Sequence, residues 1–370
     1  MKLGSGKRGM EVAMRYGGKS RNWKMDGEMM RIKGLLWKEW RQYHWYFMLA
    51  FLAIGLESIL VPIIIGIYQP GGSAATWSDP IKYILMTGFS NTETLATIAA
   101  VLLAVLMLAG ERGGTLNYLV TTPVSCREII MAKFISGWLA IVTIMSILSL
   151  FFIAAQELRP SHYSVPEVMD WALITTAAML CLFSLALLVA SFTQGILPSA
   201  LITMVIMGLP WMLISSGGQV FRQFYTLSSE IEIKLRYLET YLFIPDYISR
   251  DGRYIWDSNG NLVIDRVNPD YPLEIILLLL AAGLCLWLAI KVFEKNPLER
   301  RGEILLFGNF KQIGIIFISL LTAILWAGNL APSPASYLVY FLIMWLGLYL
   351  VMIAGVRVIG WLAWYGWGRG

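Results

Sequence analysis

Chemistry in this 370-residue chain would have to come from two histidines, three cysteines, a few glycine-rich tripeptides and isolated acids. His44 and His162 fall on opposite sides of the membrane spans derived below, so they cannot share a metal. No His-x-x-x-His, Gly-x-Ser-x-Gly or Cys-x-x-Cys spacing occurs, which removes the usual hydrolase, zinc and dithiol chemistries. Gly18-Lys19-Ser20 resembles the end of a phosphate-binding loop. That pattern requires glycine five positions before Gly18, where Ala13 stands, and no strand precedes it. Ser216-Gly217-Gly218-Gln219 repeats a signature tetrapeptide of certain ATPases, without any companion nucleotide motif elsewhere in the chain. Neither is read as a nucleotide site, no catalytic residue is assigned, and no metal or cofactor is expected on this chain. Glu57 is singled out among spans almost without ionisable groups: mid-span, an acid costs on the order of 3 kcal/mol by insertion scales. It is a candidate for lining a translocation path, with a structural hydrogen bond to a neighbouring helix as the alternative. Both readings stay open.

The elements that must position such residues follow from composition. Hydrophobic residues make up 57% and charged ones 14% of the chain, with a mean hydropathy of +0.64, whereas soluble domains carry about 25% charge. The sequence therefore predicts an all-α polytopic membrane protein. Cys181 and Cys285 lie in apolar runs, where thiols act as small hydrophobes. The net charge of +5 needs no nucleic acid to explain it. A hydrocarbon core about 30 Å thick takes roughly 20 helical residues to cross. Eight segments meet that need: Tyr46–Tyr68, Thr92–Gly110, Ser136–Ala155, Trp171–Phe192, Ile196–Ser216, Pro272–Phe293, Ile313–Leu330 and Ser336–Val356. Six or seven spans are the alternatives. With the N-terminus inside, 21 Lys and Arg residues fall on inner segments against 8 on outer ones, so both termini are expected in the cytoplasm of a cell with this chain in its plasma membrane.

Residues 1–28 read as a disordered cytoplasmic tail, and no cleavable signal peptide is visible. In 29–45, Met29, Ile32, Leu36, Trp40 and Tyr43 form one helical stripe, which predicts an amphipathic helix lying in the bilayer interface before the first span. Trp361, Trp364, Tyr365 and Trp367 predict an aromatic anchor at the other end. The outer loop 217–271 predicts a small α/β cap, with a short helix over Thr226–Leu242 and a hairpin over 254–264 turning at Asn259-Gly260 as type I′.

The most informative stretch follows the second span: Glu111-Arg-Gly-Gly-Thr-Leu-Asn-Tyr-Leu-Val-Thr-Thr-Pro-Val-Ser-Cys-Arg-Glu-Ile-Ile-Met-Ala-Lys133. Gly114 and Pro123 bound a short amphipathic segment with Leu116, Leu119 and Val120 on one side, and Ser125 suits the N-cap of the next helix. The stretch resembles the first cytoplasmic loop of type-2 exporter permeases of ATP-binding-cassette transporters. The resemblance rests on Glu111, Arg112, Gly114, Thr115, Leu116, Leu119, Pro123, Val124, Ser125, Arg127, Ile129 and Lys133, with Cys126 and Gly113 departing from the pattern. Leu35-Leu-Trp-Lys-Glu-Trp40 resembles the connector helix of the same family, represented by Leu36, Trp37 and Trp40.

The resemblance covers roughly residues 30–293 and implies the following organisation. Residues 29–45 are a connector helix, and 46–293 a six-helix permease core with a coupling helix at 114–127. Residues 294–312 are a cytoplasmic linker, and 313–370 add two helices. Glu111, Arg112, Thr115, Leu116, Leu119, Pro123, Val124, Ser125 and Arg127 would couple to a separately encoded ATPase, which holds the ATP and Mg. A second permease, identical or homologous, would complete the pore. The alternatives are a sensor or immunity permease for antimicrobial peptides, and an ATP-independent secondary transporter.

Overall fold

The computed structural model describes residues 33–56, 58–59, 93–110, 125–158, 164–193, 195–224, 253–256, 262–265, 271–295 and 333–367, with scattered positions in 231–247 and 312–330. Helix α1 runs unbroken over 33–56. Neither Gly nor Pro occurs between Leu35 and Ile54, so nothing interrupts its hydrogen-bond ladder, and the expected connector helix and the start of the first span are one helix. Then follow α2 (Glu93–Leu108), α3 (Cys126–Leu158), α4 (Val165–Phe192), α5 (Ile196–Phe224), strands β1 (Arg253–Trp256) and β2 (Leu262–Asp265), α6 (Tyr271–Glu294) and α7 (Pro334–Trp367).

Five of these helices, α3 to α7, are long and apolar enough to cross a membrane, and α2 is a shorter apolar helix. The molecule is a helical, multi-pass membrane protein. The first expected span is described only to Ile59, and the seventh only at scattered helical positions, so neither is described along its whole length. At 1.5 Å per residue α3 is roughly 50 Å long, far more than the bilayer core, so a stretch of it stands clear of the hydrocarbon. Pro198 falls in the first turn of α5, where no donor is lost, while Pro210 sits inside that helix.

Helix α4 is the centre of the bundle. From Ile174 onward it has no exposed residue on any face, and α2, α3, α5 and α6 pack around it. Alanines at 172, 177, 178, 186 and 190 let neighbouring backbones approach closely. At Gly137 of α3 an added Cβ would collide with the ring of Phe183. Several buried hydroxyls are satisfied within their own helices: Ser149 donates to the Met145 carbonyl, Ser184 to Leu180 and Thr203 to Ser199, each at 2.7 Å. By contrast, the apolar stretch of α7 contains no buried residue.

The expected hairpin is present, with β1 and β2 antiparallel. Its register differs from a type I′ turn at Asn259-Gly260. Trp256 pairs with Leu262, which places the axis of pairing on residue 259, whereas a two-residue turn needs it between 259 and 260. The turn residues themselves, and most of 226–242, lie outside the described residues.

Candidate functional site

Glu111, Arg112, Thr115, Leu116, Leu119, Pro123 and Val124 lie outside the described residues, as does Glu57. The structure does show how the 111–124 connection is held at both ends. Before it, α2 closes with the Ala109 and Gly110 amides donating to the Val105 carbonyl at 2.8 and 3.3 Å. After it, Ser125 opens α3 with a reciprocal cap. Its backbone N–H donates to Glu128 Oε2 at 2.7 Å, its hydroxyl donates to the same oxygen at 2.9 Å, and the Glu128 amide donates to Ser125 Oγ at 3.2 Å. Ser125 and Arg127 are exposed, with Arg127 one turn or less from the connection.

At that end of the bundle the other short connection is tight. Thr193 and Gly195 link α4 to α5 through a left-handed glycine (φ 90°), and the Thr193 and Ser199 hydroxyls lie 2.6 Å apart, both residues buried. Of the two, only 111–124 is long enough to offer a surface to another protein.

Both ends of that connection lead to one turn of α1. Lys133, two turns into α3, donates to Glu39 Oε2 at 3.0 Å and Oε1 at 3.3 Å. The side chains are 0% and 1% exposed, so this is a fully enclosed ion pair. Lys38, a quarter exposed, adds a second donor to Glu39 at 3.3 Å. One turn along α1, the Tyr43 hydroxyl donates to the Met107 carbonyl in the last turn of α2 at 3.2 Å. That carbonyl belongs to the group a helix C-terminus leaves without an intrahelical donor. The Lys133 ammonium also stands 5.1 Å from the centre of the Tyr43 ring. Glu39 and Tyr43, four residues apart, therefore share the face of α1 that holds α2 and α3.

The predicted stripe on α1 divides between two environments. Leu35, Glu39, Tyr43, Phe47, Ala50 and Ile54 form the inward face. Trp37 and Trp40, with 62% and 57% exposure, point away from the bundle, and Leu36 is half-buried. The Arg41 guanidinium lies 5.2 Å from the Trp37 ring, an arrangement suited to a headgroup region. Sequence reasoning placed Tyr43 on the membrane-facing stripe, and the ion pair and the Met107 bond turn it inward.

Among the described residues, three buried charged residues were missed. Lys133 and Glu39 each sat inside a quoted motif without a partner, although a lysine flanked by Ala132 and Phe134 inside a long apolar run signals that need. Glu274, overlooked when Glu57 was singled out, lies in the first turn of α6 and is completely buried. The Ser-Gly-Gly-Gln tetrapeptide at 216–219 sits within α5, where backbone N–H groups are committed to the helix and cannot cradle phosphate.

Compared with known proteins, residues 35–209 match the family model described as "ABC-2 family transporter protein". The match begins in α1, spans the 111–124 connection and ends within α5. No match was found among curated proteins.

Proposed function

With residues 35–209 belonging to the ABC-2 transporter permeases, we propose that this chain is the membrane-spanning subunit of an ATP-driven exporter in the plasma membrane, its termini in the cytoplasm. ABC-2 permeases are transport subunits that work with ABC ATPases. In this reading the partner holds ATP and Mg and hydrolyses the nucleotide, while this chain supplies the aperture and the lever. A second permease, identical or homologous, closes the pathway.

The observation that carries the reading is the 111–124 connection, which lies inside the matched region and emerges between a sealed helix end and a capped helix start. The residues proposed to meet the ATPase are Glu111, Arg112, Thr115, Leu116, Leu119, Pro123, Val124, Ser125 and Arg127. Closure of the ATPase dimer would displace this segment and, through it, the spans.

A mild-detergent pull-down from native membranes tests the proposal. A soluble ATPase should co-purify with the wild-type chain and be depleted about tenfold with a Pro123→Ala/Arg127→Glu variant that inserts normally, the loss corresponding to about 1.4 kcal/mol of binding. Wild-type chain that captures no ATPase, or transport that proceeds without ATP, would remove the exporter reading in favour of a secondary transporter.

A further inference from the structure

We propose that Glu39, Tyr43 and Lys133 form the joint through which movement of the 111–124 connection is delivered to α1, an inference that rests on the coupling reading above. The two limbs of the connection are tied to a single turn of one helix. Met107 lies just before the connection and is bound by Tyr43; Lys133 lies just after it and is bound by Glu39. A displacement of 111–124 therefore reaches α1 from both sides at once.

The type of contact matters. Apolar side chains in a helix interface attract without direction and can slide past one another. A charge-assisted hydrogen bond has a fixed length and direction. With 0% and 1% exposure, neither Lys133 nor Glu39 can exchange the other for water, so parting them would break a charge-assisted bond in a dry interior and leave Glu39 to Lys38. The pair is thus stiff under load in a way that a surface salt bridge is not.

The elements on either side suit transmission. The reciprocal Ser125–Glu128 cap holds the first turn of α3, so a pull arriving at 125 reaches Lys133 without fraying. Beyond the joint α1 continues unbroken to residue 56, and Phe47, Ala50 and Ile54 keep it packed on the bundle. A path runs from the connection through the cap, Lys133 and Glu39 into the start of the first span. Every link is a directional bond or a continuous helix.

The test uses the full chain in lipid nanodiscs with the ATPase it captures. A Trp37→Cys variant, with Cys126, Cys181 and Cys285 replaced by alanine, reports the exposed face of α1 through its rate of maleimide labelling. ATP with vanadate should change that rate about fivefold if α1 follows the ATPase. Adding Glu39→Gln/Lys133→Met, which removes both charges at similar volume, should abolish the change while ATPase capture and hydrolysis persist. Inverting the pair with Glu39→Lys/Lys133→Glu should restore at least half of it, and Tyr43→Phe should give an intermediate response. A neutral pair that responds like wild type overturns the joint, as does an inverted pair that folds without restoring the response.

If the wild type captures no ATPase, the coupling reading fails, and hydrogen exchange on the chain alone decides the joint. Neutralising the pair should then speed amide exchange in 33–45 and 126–134 together, by about tenfold. Acceleration in only one segment, or in neither, overturns it.

Discussion

Lys133 and Glu39 are fully enclosed, and their energetics are asymmetric. Removing Glu39 takes away the buried carboxylate that answers Lys133, so Glu39→Ala should cost about 3–5 kcal/mol; Lys133→Ala should cost less, because Lys38 still donates to Glu39, while replacing both by neutral groups of similar volume is close to neutral. Thermal unfolding of purified chain checks this: each single variant should melt below wild type, and Glu39→Gln/Lys133→Met should recover most of the difference. Additive losses, with the double variant falling by the sum of the two singles, would mean that the two residues are not coupled. At this scale the sequence was legible where partners are local. Ser125 and Glu128 are three residues apart, and the cap could be read directly. Glu39 and Lys133 are 94 residues apart, and no spacing rule reaches across that distance.

The elements show the same division. Hydropathy alone outlined α3 to α7, because a segment of about 20 apolar residues has few alternatives to crossing a bilayer as a helix. Which face of each helix meets which neighbour depends on shape. Gly137 reads in sequence as an ordinary membrane glycine, yet it is the gap into which Phe183 of α4 fits. Gly137→Ala should cost about 1–3 kcal/mol through overpacking between α3 and α4. A compensating Phe183→Leu should recover part of it in the same unfolding measurement; no recovery would mean that the strain lies elsewhere. The hairpin is a similar case. The Asn259-Gly260 dipeptide located the hairpin, but the pairing of Trp256 with Leu262 set a register that the dipeptide did not foretell.

For the whole molecule, the alternation of spans and the excess of Lys and Arg on one side make a topological prediction. In right-side-out vesicles of a chain with its native cysteines replaced by alanine, an impermeant maleimide should label Asn259→Cys but not His44→Cys; inverted vesicles should show the reverse. Labelling of both from the same side would invert or break the proposed arrangement. Helix α4 is enclosed by α2, α3 and α5 from within the matched region 35–209 and by α6 from beyond it. Helix α7, whose apolar stretch is entirely unburied, lies outside that match.

The sequence by itself determined that this is a helical membrane protein and that it holds long apolar segments able to cross a bilayer. Those properties depend on composition, on short-range periodicity and on neighbours a few residues apart. Only the tertiary structure decided that Tyr43 faces inward, that Glu39 and Lys133 meet, and that Glu274 is buried in the first turn of α6. These depend on helices far apart in sequence coming together. A buried charge becomes tolerable only when its surroundings answer it, and those surroundings are fixed by the packing of the bundle.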